Sequence, residues 1–346
     1  MNVRSLQRRG PWLRRLALAA LAAANLAATP GASSAASAPS SLPAAESLAR
    51  SRPGLRALVI ARGDCVVYEY YRKGIGPTTR SPVYSVTKSV LSILVGVAID
   101  RGLMRLDEKL AELVPEALDA RVEALARGVT IRDLLTMTSG FEAALAGAAP
   151  AALGAMLARP MPSPPGDRFA YDGMAADLLS VALSRAIRED ALGFARRNLL
   201  DPLGIRNYAW TSDADGRLFG ETDLFLTARD MAKIGLLYLQ SGQWGGRRIV
   251  SEAFVRDSVS RHNAGGPPLA AAYGYLWWVT KTRGGFEAFF AAGSGGQLVY
   301  VVPRLGLVAA VAAQSGDDDN LGLIDVLALS AATEAPCVAR LGADRP

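Results

Sequence analysis

The chain has 346 residues, 50% of them hydrophobic and 20% charged, enough length and apolar content to bury a sizeable core in one or two domains. Its formal charge of +6 is not a nucleic-acid signature: Arg4, Arg8, Arg9, Arg14 and Arg15 crowd the N-terminus, and the other basic residues are interspersed with acids. The single histidine, His262, excludes a histidine-rich metal site, and neither H-E-x-x-H nor C-x-x-C occurs.

The N-terminal arginines are followed by the apolar run "LALAALAAANLAA" and the small-residue stretch "TPGASSAASAPS", the layout of a secretory signal peptide. A membrane-spanning helix needs about 20 apolar residues, more than this run supplies, so cleavage is expected rather than anchoring. Ala36-Ser37-Ala38 offers a small-x-small cleavage site. The expected organisation is therefore a signal peptide over 1–38 and a linker over 39–54, with the mature chain exported to the periplasm or beyond. In an oxidising compartment Cys65 and Cys337 are either a disulfide closing a long loop or two buried thiols, and spacing does not choose between them.

The next stretch, "LRALVIARGDCVVYEYYRKG", reads as two β-branched and aromatic strands turned at Gly-Asp. The segment from Tyr84 to Met104 is too apolar for a surface helix and should run through the interior. "LDEKLAELVPEALDA" then reads as amphipathic and "VTIRDLLTMTSGF" as a short helix ending at Gly140. Residues 142–160, alanine-rich, suggest a helical lid, and "MPSPPGDRFAY" a constrained loop. "DLLSVALSRAI" and "TARDMAKIGLLYLQSG" show helical spacing, the second with Thr227 as N-cap and Gly242 as stop.

From Tyr273 the character changes to short β-type runs, "YGYLWWVTK", "GFEAFFAAG", "QLVYVVP" and "GLVAAVAAQ", before "NLGLIDVLALSAAT" returns to helix. Strands near both ends, helices between them and no regular βαβ alternation predict an α+β fold: an antiparallel sheet flanked by helices, with an inserted all-helical lobe. We expect the sheet lobe to comprise 55–84 and 250–340, the helical lobe 85–249, and an active site to lie between the lobes.

The chemistry turns on "SPVYSVTKSVLSILVGVAIDRGLM". Ser85 and Lys88, three apart on one helix face, lie within hydrogen-bonding reach. A serine hydroxyl is a weak nucleophile that needs a neighbouring base, and a lysine can serve when it is kept out of water. Only five lysines occur against 38 basic residues, so a lysine on an apolar helix needs a reason. Ser85 at the helix start also has a backbone N–H free to help bind an oxyanion. No G-x-S-x-G elbow is present, and a Ser-His-Asp triad would depend on His262 alone. S-x-x-K by itself is a weak pattern, which a helix cap and a snorkelling lysine would also satisfy.

Context changes its weight. "VYSVTKSVLSILVGVAIDRGLMRLDEKLAELVPE", "IRDLLTMTSGF", "PPGDRFAYD", "PLGI", "LTARDMAKIGLLYLQSGQWGGRRI", "YGYLWW" and "GSGGQLVYVVP" follow in an order and spacing that resembles the serine β-lactamase and penicillin-binding-protein-like superfamily. The resemblance is to its class C β-lactamase-related branch, which includes family VIII esterases, D-aminopeptidases and 6-aminohexanoate-dimer hydrolases, and it covers about residues 55 to 330. It implies a β-lactamase/transpeptidase-like fold, Ser85 as acylated nucleophile, Lys88 as its proton acceptor and Tyr171 as general acid or base, with no cofactor.

The family's Tyr-x-Asn motif has Gly173 in its third place, and its Lys-Thr-Gly strand reads Ala291-Ala292-Gly293. By resemblance Gly293 edges the substrate, the N–H groups of Ser85 and Ser294 form the oxyanion hole, and the polar head that engages a β-lactam carboxylate is missing. Gly-Gly-Gln at 295–297 and the strand expected from Tyr273 to Trp278 resemble the aminohexanoate-dimer-hydrolase-like members. Trp277 and Trp278 are expected in the core or cleft wall, and Met137 and Thr138 in structural roles. The expected ligand is a small ester or amide, with substrate choice set by the 142–160 segment; no nucleic-acid partner or stable membrane anchor is expected. A penicillin- or peptidoglycan-binding module with little turnover and a true β-lactamase are the alternatives.

Overall fold

In the computed structural model the described residues are 46–47, 49–118, 122, 124–144, 152–213, 216–314 and 337–342. The expected signal peptide and the expected C-terminal helix in "NLGLIDVLALSAAT" fall outside them.

β-Branched and aromatic residues build the first hairpin. Leu55–Arg62 (β1) and Cys65–Tyr71 (β2) pair antiparallel across the Gly63-Asp64 turn, where Gly63 has a positive φ of 55°, a conformation glycine adopts without a steric penalty. The chain then runs through Ser81–Pro82 (β3) into the helix Val86–Asp100 (α1). Every residue of α1 from Val86 to Ala98 is buried, as its all-round apolar sequence requires. It packs between the sheet strand Glu287–Gly293 and the helix Gly173–Ile187.

The middle of the chain is helical in shorter pieces than expected. Leu110–Leu113 (α2) is a single turn followed by a 3-10 turn at Pro115–Ala117, since Pro115 lacks the N–H that would continue the α ladder. Ile131–Leu135 (α3) opens on a capping box, in which Thr130 Oγ1 accepts from Asp133 N–H (3.2 Å) and the Asp133 carboxylate accepts from Thr130 N–H (2.8 Å). It does not reach Gly140: Thr136 caps it and Met137 takes a left-handed φ of 56°. Within the expected lid, the described helix is Leu153–Leu157 (α4).

Gly173–Ile187 (α5) starts at Asp172, whose carboxylate accepts from Met174 N–H at 3.1 Å. Ala191–Ala195 (α6) follows, then two short strands, Ala209–Trp210 (β4) and Leu224–Leu226 (β5), which join β3 in a small antiparallel sheet. Ala228–Leu239 (α7) begins at the expected Thr227 cap, and Gly242, with a positive φ of 82°, closes its end by donating to Leu237 O. Although it lies in the 85–249 span, α7 packs on the sheet.

A hairpin of Gln243–Trp244 (β6) and Arg247–Arg248 (β7) and the helix Glu252–Ser258 (α8) lead back to the sheet. Its second half is Ala272–Tyr273 (β8), Trp278–Lys281 (β9), Glu287–Gly293 (β10), Gln297–Val302 (β11), Leu307–Ala313 (β12) and Ala339–Arg340 (β13). The strand expected from Tyr273 to Trp278 is instead two strands around a tight turn, with Leu276 at a φ of 58°. The order is β13-β2-β1-β12-β11-β10-β9-β8, and every described pair is antiparallel. This is the expected α+β class.

Cys65 and Cys337 are joined in a disulfide, their Cα atoms 5.4 Å apart. The bond ties the edge strand β13 to β2, where Ala339 lies opposite Val66 and Arg340 opposite Cys65.

Candidate active site

The site is assembled where β3 turns into α1. Tyr84 carries a left-handed φ of 47°, an uncommon conformation for a non-glycine residue, and it redirects the chain so that Ser85 becomes the N-cap of α1. The N–H groups of Val86, Thr87 and Lys88 donate to the carbonyls of Val83, Tyr84 and Ser85. Val83 N–H in turn donates to Leu224 O at 2.9 Å, anchoring this elbow to the small sheet.

Three residues on, Lys88 is 1% exposed. Its Nζ donates to Ser85 Oγ at 3.0 Å and to the backbone carbonyl of Glu221 at 3.0 Å. The helical i,i+3 spacing thus does what the sequence pattern suggested, bringing hydroxyl and amine into direct contact. The nitrogen also lies 5.2 Å from the centroid of the Tyr171 ring.

Tyr171 arrives from a segment held in place by its neighbours. Ala170 N–H donates to Met137 O at 2.8 Å and Asp172 N–H approaches Met137 Sδ at 3.5 Å, so the strained turn at Met137 orients the tyrosine segment, a structural role like the one read from sequence. The Tyr171 ring stacks on Trp278 (centroids 5.5 Å apart) and meets Tyr273 edge-on at 6.2 Å. Burial holds the Tyr273 phenol well above its ordinary pKa, and Tyr171 adds to the effect. Trp277 is fully buried against Tyr238 and Phe289. The aromatic wall and the tyrosine are one packed unit.

On the opposite side, β10 ends at Gly293. A Cβ placed on Gly293 would lie 2.3 Å from Val83 O and 3.2 Å from Ser85 N. Only a glycine lets the strand end come this close to the backbone of Ser85. Ser294 follows in an exposed turn. Ala291 and Ala292 pair with Val299 and Leu298, so the positions that resemble Lys-Thr-Gly sit on the strand that reaches Ser85 but carry no polar head. The Gln297 amide is buried and occupied, exchanging hydrogen bonds with Ala313 O (2.5 Å) and Ala313 N–H (3.1 Å).

The structure thus brings Ser85, Lys88, Tyr171 and Gly293 together. His262 is held elsewhere: its Nε2 bonds Asp257 O at 2.9 Å and its ring stacks on Tyr275. Of the 142–160 segment, residues 145–151 are outside the described set. Its ends are fastened to the site through Arg159, which pairs with the buried carboxylate of Asp172 at 2.7 Å and also donates to Glu142 O.

Two acidic residues that sequence reasoning did not single out border Lys88. Asp177 on α5 accepts from the N–H groups of Gly220 (2.8 Å) and Glu221 (3.0 Å). Burial raises its carboxyl, against those two hydrogen bonds and Lys88. Burial likewise raises the Glu221 carboxyl; Lys88 opposes the shift, while Asp177, Asp172 and Asp223 add to it. No motif spacing marks either residue, because residue 221 comes from a loop far along the chain from α1 and from the start of α5.

An antiparallel sheet with a serine-lysine helix packed on it defines the β-lactamase/transpeptidase-like class. The family model described as Beta-lactamase matches residues 16–332, and the chain belongs to that family, as a serine hydrolase. A curated relative, the 6-aminohexanoate-dimer hydrolase of Paenarthrobacter ureafaciens, is 25% identical over 281 residues, covering 72% of this chain and 69% of the relative. Among solved structures, EstCE1, a hydrolase with promiscuous acyltransferase activity, shares the fold with a TM-score of 0.69 at 15% identity, over 85% of this chain and 99% of its own. A D-stereospecific amidohydrolase from Streptomyces sp. does so with a TM-score of 0.67 at 15% identity, over 82% and 97%.

Proposed function

We propose that the protein hydrolyses an ester or a linear amide through an acyl-enzyme on Ser85, with Lys88 as the base. The observation that carries this reading is the 3.0 Å contact between Lys88 Nζ and Ser85 Oγ in a dry setting. Ser85 Oγ attacks the substrate carbonyl carbon as its proton passes to Lys88 Nζ, and the carbonyl π pair moves onto oxygen. The N–H of Ser85, beside Gly293, and the N–H of Ser294 receive that oxyanion. Collapse expels the alcohol or amine with a proton delivered by Tyr171, and water then attacks the acyl-enzyme with the same groups acting in reverse.

The 6-aminohexanoate-dimer hydrolase similarity supports a linear amide or ester over a β-lactam, as does the absence of a polar side chain at Ala291 and Ala292. The N-terminal segment supports export before the enzyme acts.

Turnover of p-nitrophenyl butyrate by the wild type beside Ser85→Ala tests the reading. The variant should lose at least about 10^4-fold in kcat/KM, as expected when a nucleophile acting with its base is removed. Equal, slow hydrolysis by both proteins would favour a binding module instead.

A further inference from the structure

The third place of the Tyr-x-Asn pattern holds Gly173, yet the space beside it is filled. A Cβ placed on Gly173 would lie 2.1 Å from Glu221 Cδ and 2.2 and 2.3 Å from its two carboxylate oxygens. The Glu221 carboxylate, the far end of a flexible side chain, therefore occupies the volume that a side chain at 173 would claim, and a side chain there would have to move it aside.

The residue is held there from two sides. Asp177, one turn along α5 from Gly173, fixes the backbone N–H groups of Gly220 and Glu221. Gly220 itself lies so close to α5 that a Cβ on it would meet Ala176 O at 2.3 Å. With its backbone clamped, Glu221 turns its carbonyl to Lys88 Nζ and its carboxylate to the first residue of α5, where the helix dipole favours negative charge. One residue thus links the amine of the nucleophile pair to the segment that carries Tyr171.

We propose that Glu221 is the positioning residue that completes the motif in this chain: its carboxylate stands where the third side chain would be and steadies the Lys88 ammonium formed when Ser85 gives up its proton. The inference rests on the acyl-enzyme reading above. In that step the Oγ–H bond breaks, the Nζ–H and Oγ–C bonds form, and the Glu221 carboxylate changes neither its bonds nor its proton. Its charge matters because a new cation is formed in a site shielded from water.

Four charged groups act on Glu221: Lys88 favours the ionised form, and Asp177, Asp172 and Asp223 oppose it, as does burial. Since the ionised form is the useful one, activity should rise with pH through a carboxyl inflection displaced above the ordinary glutamate value.

The test compares pH–rate profiles of wild type, Glu221→Gln, Gly173→Asn, Gly173→Asn/Glu221→Ala and Ser85→Ala on one ester. Glu221→Gln preserves size and the backbone clamp; it should lose that acid-side inflection and about tenfold in kcat, with KM little changed. Gly173→Asn should be impaired because its Cβ displaces Glu221, and the double variant should recover about tenfold or more over it. A Glu221→Gln profile superimposable on the wild type, with Ser85→Ala inactive, overturns the inference and leaves the acyl-enzyme intact. Wild-type activity in Ser85→Ala overturns the underlying reading instead.

Discussion

Lys88 and Lys233 are the two buried lysines of the chain, 1% and 5% exposed, and each lies three residues after a polar side chain near the start of a helix. Lys233 sits opposite Asp230 at 3.0 Å and also donates to Gly204 O at 3.1 Å. Asp230 is held in turn by the Thr227 cap, its carboxylate accepting from Thr227 Oγ1 at 2.7 Å. The charge of Lys233 is committed. Lys88 instead faces a hydroxyl and a carbonyl, partners that accept a hydrogen bond but bring no carboxylate into contact. The same residue type, burial and spacing therefore give a structural ion pair at one helix and, at the other, a hydrogen bond to a hydroxyl that the proposed mechanism uses for proton transfer; the i−3 residue, aspartate or serine, separates the two.

Substituting each lysine by methionine breaks the comparison most directly. Lys88→Met should lower kcat/KM toward the upper end of the roughly 10^2- to 10^4-fold that a positioned base contributes, measured with a p-nitrophenyl ester. Lys233→Met should leave kcat/KM nearly unchanged but destabilise the fold by about 3–5 kcal/mol, because it strands a buried carboxylate; denaturant unfolding reads this. If Lys233→Met abolished activity in the folded protein, the distinction between the two sites would fail. A smaller effect, about 10^2-fold in kcat, is expected for Tyr171→Phe, which keeps the stack on Trp278 and removes only the hydroxyl. An unchanged kcat would make Tyr171 part of the aromatic wall alone.

What could be read from the sequence divides along physical lines. The β1–β2 hairpin, the interior helix α1 and the Thr227-capped helix α7 were legible because alternation, all-round apolarity and capping are local signals. Ser85 and Lys88 were legible for the same reason, since helix geometry alone places i and i+3 together. The end of α3 was not: Thr136 Oγ1 turns back onto Arg132 O at 2.8 Å and Met137 takes a left-handed conformation, choices that tertiary packing makes. Strands β3, β4 and β5 span only two or three residues, too few for alternation to show.

Glu221 was least legible of all. Its place beside Gly173 depends on a clamp from Asp177 across 44 positions, and composition carries no trace of that contact. The Gly173 departure was visible in the sequence, whereas the carboxylate that fills its space is visible only in three dimensions.

The most direct test of the central claim is covalent labelling of the proposed nucleophile. Wild type, Lys233→Met and Lys88→Met would be treated with a fluorophosphonate, digested and mapped by peptide mass spectrometry. A single adduct on Ser85, formed at comparable rates in wild type and Lys233→Met and far more slowly in Lys88→Met, is the predicted result. An adduct on any other residue, or labelling of Ser85 that ignores the loss of Lys88, would contradict the account.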